Sequence, residues 1–228
     1  MKISGFQKLT LLDYPGRIAC IIFTQGCNYK CSYCQNSLLI PHENEELVAE
    51  EEVLAYLNQR KSILDGIVIS GGEPTIQIGL VDFIKKVKSL GLLVKLDTNG
   101  SNPKLLKQLL EEKLVDYVAM DIKYLLEEYS VVTKCRVNRN NLLESMNILK
   151  NSGIEYEFRT TIIKNVHTMD IILKLCKYFD NKQPFYLQNF EQSEYVPDKT
   201  LESFTRDELK EIEKIIKKEY PNVVIRGL

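Results

Sequence analysis

Hydrophobic and polar positions follow two different periods along this chain. Short apolar runs alternate with longer segments in which apolar residues recur at i, i+3, i+4 and i+7. The short runs predict strands at residues 18–24, 66–70, 92–97, 117–121, 155–163 and 185–189, with a closing strand at 223–226. The longer segments predict helices at residues 50–60, 80–91, 103–113, 138–152, 168–179 and 205–220. The last helix begins with a capping box, Thr205-x-x-Glu208.

This alternation of strands and helices predicts a parallel sheet with right-handed crossovers. We expect an α/β fold in one domain over residues 1–228, with parallel strands curled into a partial (β/α)6 TIM-like barrel. The core is expected at about 17–190, and a C-terminal helix and strand at 205–228. A flat, doubly wound sheet is the competing architecture. In both architectures the chemistry belongs at the carboxyl ends of the strands.

Polar residues lie at or just after the end of each of the first six predicted strands, except in the fifth, where Arg159 lies within the strand. Because the carboxyl ends of parallel strands meet at one edge, we expect these residues to form one site. In chain order they are the cysteines Cys27, Cys31 and Cys34, then Gly71-Gly72-Glu73-Pro74, Asp97-Thr98-Asn99-Gly100, Asp121-Ile122-Lys123, Arg159 and Gln188-Asn189.

The three cysteines have the spacing C-x3-C-x2-C, with no fourth cysteine nearby. Three thiolates can hold three irons of a [4Fe–4S] cluster, which leaves one metal position open for a ligand. Structural zinc is the alternative, but it needs a fourth Cys or His. The other candidates are single and scattered; we expect the cysteines among them to be buried and the histidines to be solvated. They are Cys20, Cys135, Cys176, His42 and His167.

Composition narrows the class of protein. The 228 residues include 44% hydrophobic residues, enough for a sizeable core, and the net charge of -1 gives no sign of nucleic-acid binding. No apolar run is long enough to span a bilayer, and residues 1–16 lack the apolar segment of a signal peptide. Six cysteines in this context predict reduced thiols and a cytoplasmic protein.

The cysteine spacing, with Tyr33 before the last cysteine and the Gly-Gly-Glu-Pro string, resembles the radical S-adenosylmethionine (SAM) superfamily. The resemblance implies that Cys27, Cys31 and Cys34 hold a catalytic [4Fe–4S] cluster whose open iron binds the amino and carboxylate groups of SAM. It further implies reductive cleavage of SAM to methionine and a 5′-deoxyadenosyl radical, which abstracts a hydrogen atom from the substrate.

The same resemblance implies which other residues contact SAM. The ammonium group would meet Gly71, Gly72 and Glu73. The adenine would lie by Tyr33. Asn36 resembles the Cys-x-Asn asparagine that contacts SAM in glycyl-radical enzyme activating enzymes, which usually have histidine where Gln35 stands. The ribose and carboxylate would lie near a further set of residues, namely Asp97, Thr98, Asn99, Lys123 and Arg159.

Asp121 is expected to face Asp97 across the rim. Two carboxylates this close raise a pKa or require a cation. The family uses this place for a monovalent cation beside SAM, which gives a possible third cofactor here.

Within the superfamily, Asp13-Tyr14-Pro15-Gly16 resembles the D-x-P-G segment of glycyl-radical enzyme activating enzymes, as do the short length and the D-T-N-G string. The resemblance implies Asp13 and Gln188 as substrate contacts. The implied partners are a glycyl-radical enzyme, as protein substrate, and a flavodoxin- or ferredoxin-type electron donor. Neither a nucleic acid nor a membrane is expected.

The stretch Q-G-C-N-Y-K-C-S-Y-C-Q-N is most similar to the activators of anaerobic ribonucleoside-triphosphate reductase. Pyruvate formate-lyase activators are the second alternative, because their histidine on the sixth strand is replaced by Gln188-Asn189-Phe190. A small-molecule enzyme of the 7-carboxy-7-deazaguanine synthase type would share the first three motifs. A zinc-stabilised interaction module is the non-enzyme alternative.

Overall fold

A computed structural model describes residues 1–40, 46–179 and 183–228. Its strands are β1 (Ile3–Thr10), β2 (Ala19–Thr24), β3 (Gly66–Gly71), β4 (Leu93–Thr98), β5 (Tyr117–Asp121), β6 (Glu155–Ile162), β7 (Phe185–Asn189) and β8 (Val223–Arg226). Its helices are α1 (Glu50–Arg60), α2 (Leu80–Ser89), α3 (Pro103–Glu111), α4 (Ser130–Thr133), α5 (Arg139–Lys150), α6 (Met169–Cys176) and α7 (Arg206–Ile216).

The strands form one sheet in which each strand lies beside its successor, in the order β1 to β8. From β2 to β8 all pairs are parallel. A doubly wound sheet would reverse its strand order at a switch point, whereas a barrel keeps the order of the chain. The expected partial TIM-like barrel is confirmed, and the flat alternative is wrong.

The pattern of apolar residues did not predict β1, which pairs antiparallel with β2. Only its two end residues, Ile3 and Thr10, are buried, so the strand lacks the alternation of a half-buried strand. It also contains Gly5, and glycine is depleted in strands. The sheet is therefore longer by one edge strand than expected, and this strand is not parallel.

The two faces of the sheet carry different residues because side chains alternate along a strand. One face, with Ile22, Ile69 and Leu96, belongs to the main apolar core that also contains the inward residues of the helices. The other face holds a smaller apolar cluster together with charged residues of β4 and β6. Arg159 on β6 reaches Asp97 on β4, so this face is concave.

Two expectations about scattered residues need correction. His167 is not solvated: it is 1% exposed, and its Nδ1 accepts a hydrogen bond from the backbone nitrogen of Ile163 at 3.0 Å. Cys20 and Cys176 are buried as expected, but Cys135 is only half-buried and its thiol lies 3.7 Å from the carbonyl oxygen of Asn28. His42 lies outside the described residues.

Candidate active site

A cavity of about 370 Å³ opens at the carboxyl ends of the parallel strands. This volume lies within the range of small-molecule sites. The cavity is lined by every residue predicted for the site except Asp13. These residues are Cys27, Cys31, Tyr33, Cys34, Asn36, Gly71, Gly72, Glu73, Asp97, Thr98, Asn99, Asp121, Lys123, Arg159 and Gln188.

The cysteine loop follows β2 and is held by the segment around α4. The backbone nitrogens of Lys30 and Ser32 each donate a 3.0 Å hydrogen bond, to the carbonyl oxygens of Thr133 and Val132. These bonds fix the loop at a position where all three cysteines face the cavity. The loop is therefore positioned by backbone bonds to another segment of the chain.

Burial raises the pKa of the Cys27 thiol to about 11 and that of Cys31 to about 12. Burial also raises the pKa of Cys34. Thiols in this state become ligands only when a metal displaces their protons. Cluster binding at these cysteines would therefore release protons.

The donor set fits a cluster better than a single ion. A tetrahedral zinc site needs its thiolates about 3.8 Å apart, from a zinc–sulfur distance of about 2.3 Å. In the ranges 1–40, 46–179 and 183–228, no group of three or more His, Cys, Asp or Glu side chains is arranged to hold one metal ion. A [4Fe–4S] cluster instead takes each thiolate at a separate iron. Three cysteines around one cavity match that requirement.

The end of β3 lies directly against the start of the cysteine loop. The backbone nitrogens of Gly72 and Glu73 donate 2.9 Å hydrogen bonds to the carbonyl oxygens of Thr24 and Gly26. A Cβ atom on Gly72 would lie 1.9 Å from the Gly26 carbonyl oxygen. The motif predicts that these glycines allow a close approach of SAM. The structure shows that they allow a close approach of the chain to itself.

Glu73 is fully buried, and its carboxylate is occupied by donors of the protein. Its Oε1 accepts hydrogen bonds from the Thr75 nitrogen (3.0 Å), the Thr75 hydroxyl (2.5 Å) and the Thr98 hydroxyl (2.7 Å). Its Oε2 accepts one from the Asn99 nitrogen at 2.6 Å. Burial raises the pKa of this carboxyl, although the hydrogen bonds oppose the shift. Glu73 thus joins the ends of β3 and β4 beneath the cavity.

Asn28, which the sequence analysis did not select, connects the cysteine loop to the end of β4. Its Oδ1 accepts a 2.9 Å hydrogen bond from the side-chain amide of Asn99, and its own amide donates to the Ser101 hydroxyl at 2.8 Å. On the other side, the Asn36 amide lies 3.5 Å from the Gly71 carbonyl oxygen. The D-T-N-G segment therefore supports the loop as well as lining the cavity.

Asp97 and Asp121 face each other across the rim, and Arg159 lies between them. The Arg159 Nε atom donates to Asp121 at 2.8 Å, and its Nη2 lies 3.6 Å from Asp97. Lys123 donates to the other Asp121 oxygen at 2.9 Å. Burial would raise the pKa of Asp121, but the charges of Arg159 and Lys123 outweigh it and hold that pKa far below the usual range. Both carboxylates are thus ionised and paired with cationic side chains.

Further charged groups on the concave face were missed by the sequence analysis. Lys95 forms an ion pair with Asp97, and Ser70 donates a 3.0 Å hydrogen bond to the same carboxylate. Below them, Glu157 accepts from the Tyr117 hydroxyl at 2.9 Å and from Arg226 at 2.6 Å. Lys95 could have been identified from the sequence, because a lysine two residues before Asp97 in a central strand lies on the same face as Asp97.

Asp13 lies away from the cavity. It follows β1 in the turn to β2, and the Thr10–Ala19 pairing puts this turn at the end where the parallel strands begin. The cavity lies at the opposite end of β2, about 20 Å away at 3.3 Å per residue. Asp13 accepts a 2.5 Å hydrogen bond from the Thr10 hydroxyl, which is a local turn contact. The other predicted substrate contact, Gln188, does line the cavity.

Comparison with known proteins identifies the family of this chain. The family model described as the radical SAM superfamily matches residues 21–176. A Methanocaldococcus jannaschii protein, provisionally named a glycyl-radical enzyme activating enzyme, is 35% identical over 99% of this chain and 96% of its own length. The pyruvate formate-lyase-activating enzyme of Clostridium pasteurianum is 28% identical over 88% of this chain and 83% of its own.

Among solved structures, SuiB from Streptococcus suis bound to S-adenosylmethionine matches with a TM-score of 0.69 and 17% identity. The match covers 88% of this chain and 48% of SuiB, so the chain spans about half the length of that protein. At this identity the match supports the fold alone. In the part of the chain that the structure describes, no helix has the length and apolar character needed to cross a membrane.

The fold, the three cysteines around one cavity and the family match define the class of protein: the chain belongs to the radical SAM superfamily. It is an oxidoreductase that uses a [4Fe–4S] cluster and SAM. Its relatives of similar length place it among the glycyl-radical enzyme activating enzymes.

Proposed function

We propose that Cys27, Cys31 and Cys34 hold the cluster and that the protein generates a glycyl radical on a partner enzyme. The observation that carries this proposal is the cavity in which the cysteines meet the ends of β3, β4, β5 and β6. When bound, the cluster and SAM supply a 5′-deoxyadenosyl radical, which takes a hydrogen atom from the substrate.

The residues of the chain hold SAM in this proposal. The net positive group formed by Lys123 and Arg159 suits the carboxylate of SAM, because charge-assisted hydrogen bonds are the strong ones. Tyr33, 6% exposed, lies beside the cysteines where the adenine is expected. Glu73, whose carboxylate is already occupied, acts as a positioning residue that fixes Thr98 and Asn99 at the rim.

The shape of the barrel fits a protein substrate. The strands β1 and β8 are the two ends of the sheet order and, within the described residues, do not pair with each other, so strand pairing does not close the barrel between them. A loop from a partner can enter there, which a sealed small-molecule pocket would prevent. Gln188 is the proposed contact for the glycine-containing loop of the partner. A role for Asp13 requires a loop that also reaches the far end of β2, about six extended residues away.

The proposed partner is anaerobic ribonucleoside-triphosphate reductase, with a flavodoxin- or ferredoxin-type protein as electron donor and the cytoplasm as location. The support is the sequence of the cysteine loop and the replacement of a histidine by the Gln188 region. Pyruvate formate-lyase is the second candidate, supported by the 28% identity to the Clostridium pasteurianum activating enzyme.

Electron paramagnetic resonance tests both partners directly. The anaerobically reconstituted protein is mixed with SAM, a reductant and either a reductase or a formate-lyase, and a glycyl doublet is sought. We expect the doublet with the reductase and its loss when the reductase's radical-site glycine is changed to alanine. A doublet only with formate-lyase would reassign the partner. SAM cleavage without a doublet on either enzyme would contradict glycyl-radical activation.

A further inference from the structure

Lys95 is a lysine in the middle of a central strand whose side chain is only 2% exposed. It lies on β4 two residues before Asp97, so the two side chains share the concave face. Its ammonium is paired with Asp97 Oδ1 and lies 5.8 Å from the centre of the Tyr117 ring. A charge buried to this extent is retained only when it is paired. Lys95 is therefore a built-in counter-ion of Asp97.

Each carboxylate oxygen of Asp97 and Asp121 has a donor from the chain. In Asp97, Oδ1 is held by Lys95, and Oδ2 accepts from Ser70 at 3.0 Å. In Asp121, Oδ1 accepts from Arg159 and Oδ2 from Lys123. A hard cation binds to such oxygens. Here it would have to share these oxygens with donors already attached to the chain, and three of the four donors are themselves cations.

The charges on the concave face also disfavour an added cation. Positive side chains on this face outnumber the carboxylates they contact. The excess positive charge would repel an added cation. The positive groups are Lys95, Lys123, Arg159 and Arg226, and the carboxylates are Asp97, Asp121 and Glu157. The excess positive charge suits an anionic ligand group and not a further cation.

The monovalent cation that the family resemblance implies thus does not fit the residues present. We infer that Lys95 replaces this ion, so that the protein binds SAM without a monovalent cation. Lys95 is a positioning residue in this account: it keeps Asp97 ionised and aligned with Arg159 and makes no contact with SAM itself. The inference rests on the proposed function only in that SAM occupies this cavity.

Two measurements on the wild-type protein test the inference. The affinity of the reconstituted protein for SAM is measured by equilibrium dialysis in tetramethylammonium, sodium and potassium chloride at equal ionic strength. The melting temperature of the protein without SAM is measured in the same three salts. We expect affinities equal within about twofold and no ion-specific rise in melting temperature, because the folded state has no ion to gain.

The Lys95→Met variant tests the replacement itself. Without the ammonium, Asp97 regains a free oxygen and the site loses one positive charge. We expect SAM affinity to fall about tenfold in tetramethylammonium chloride, which corresponds to the loss of one ion pair. Added potassium or sodium should restore the affinity. The melting temperature of this variant is expected to rise with the same ions. Lys88→Met is the matched control, because it removes a lysine–aspartate pair, to Asp116, away from the cavity.

The outcomes separate this inference from the proposed function. Ion-dependent SAM binding or ion-specific stabilisation in the wild type would overturn the inference while leaving SAM chemistry intact. Equal loss of affinity in all salts for Lys95→Met would overturn it as well. If SAM fails to bind in any salt, the proposed function fails, and the melting temperatures still decide the inference. If Lys95→Met does not fold, the wild-type measurements decide it.

Discussion

A Cβ atom on Gly72 would lie 1.9 Å from the carbonyl oxygen of Gly26, the residue before Cys27. This contact joins the end of β3 to the loop that carries all three cysteines. The Gly-Gly-Glu-Pro string after β3 therefore sets the position of the cysteine loop. SAM is expected in the cavity that the two motifs enclose.

The first prediction is that Gly72→Ala disturbs the cysteine loop. Because the atom it meets is backbone, the loop must move, at a cost of about 1–3 kcal/mol in the free energy of unfolding. We expect iron content after anaerobic reconstitution to fall by half or more. Gly5→Ala is the matched control, since its nearest atom is a Phe23 ring carbon at 3.2 Å, which can shift. Normal iron content in Gly72→Ala would refute the contact as a determinant of the loop.

The second prediction concerns the ligand set. Cys31→Ala should reduce SAM cleavage more than a hundredfold, because one cluster iron loses its only protein ligand. Cys176→Ala, which removes a buried thiol from α6 in the core, should keep cleavage within about twofold. Cleavage is measured as 5′-deoxyadenosine by chromatography. Substantial cleavage by Cys31→Ala would remove Cys31 from the ligand set.

The positions of the site residues were predictable because they follow from one topological rule. Once strands and helices alternate, the carboxyl ends of the strands converge, and only Asp13 among the predicted residues lies elsewhere. The prediction for Asp13 came from resemblance alone. In the structure its turn precedes β2, whereas the cysteines follow that strand.

What the sequence did not reveal depends on the direction in which a side chain points and on individual hydrogen bonds. The role of Lys95 requires knowing that the concave face is charged, and a strand pattern does not specify which face is which. The burial of His167 is possible because the backbone nitrogen of Ile163 satisfies its Nδ1 atom. The internal role of Glu73 depends on donors from β4.

The third prediction follows from the occupied carboxylate of Glu73. Glu73→Ala leaves buried donors at Thr75, Thr98 and Asn99 without an acceptor, so we expect a loss of about 2–4 kcal/mol in the free energy of unfolding. SAM affinity should fall about tenfold while iron content is retained. Urea titration and equilibrium dialysis measure the two effects. Glu211→Ala, on the exposed side of α7, should change neither; unchanged stability in Glu73→Ala would contradict the internal role.

The fourth prediction concerns pH. Burial lowers the pKa of His167 to about 4 from an ordinary value of 6.5. The unfolded chain therefore takes up a proton near pH 6.5 that the folded chain accepts only near pH 4, and stability falls as the pH falls through this window. Above pH 6.5 the contribution is complete.

For the protein without cluster, the lowered pKa of His167 makes the free energy of unfolding depend on pH with a slope of up to about 1.4 kcal/mol per pH unit between pH 6.5 and 4. Urea titrations at several pH values measure it. The His167→Gln variant should lose that share of the slope. If wild type and variant show the same slope, His167 does not titrate as its burial requires.

The most direct test of the central claim is electron–nuclear double resonance on the reduced, reconstituted protein with SAM labelled with ¹⁵N at its amino group. The account predicts about four irons per chain and a coupling from the labelled nitrogen to the cluster, because the three cysteines leave one iron open. A single zinc per chain, or a four-iron cluster without coupling to SAM, would contradict it.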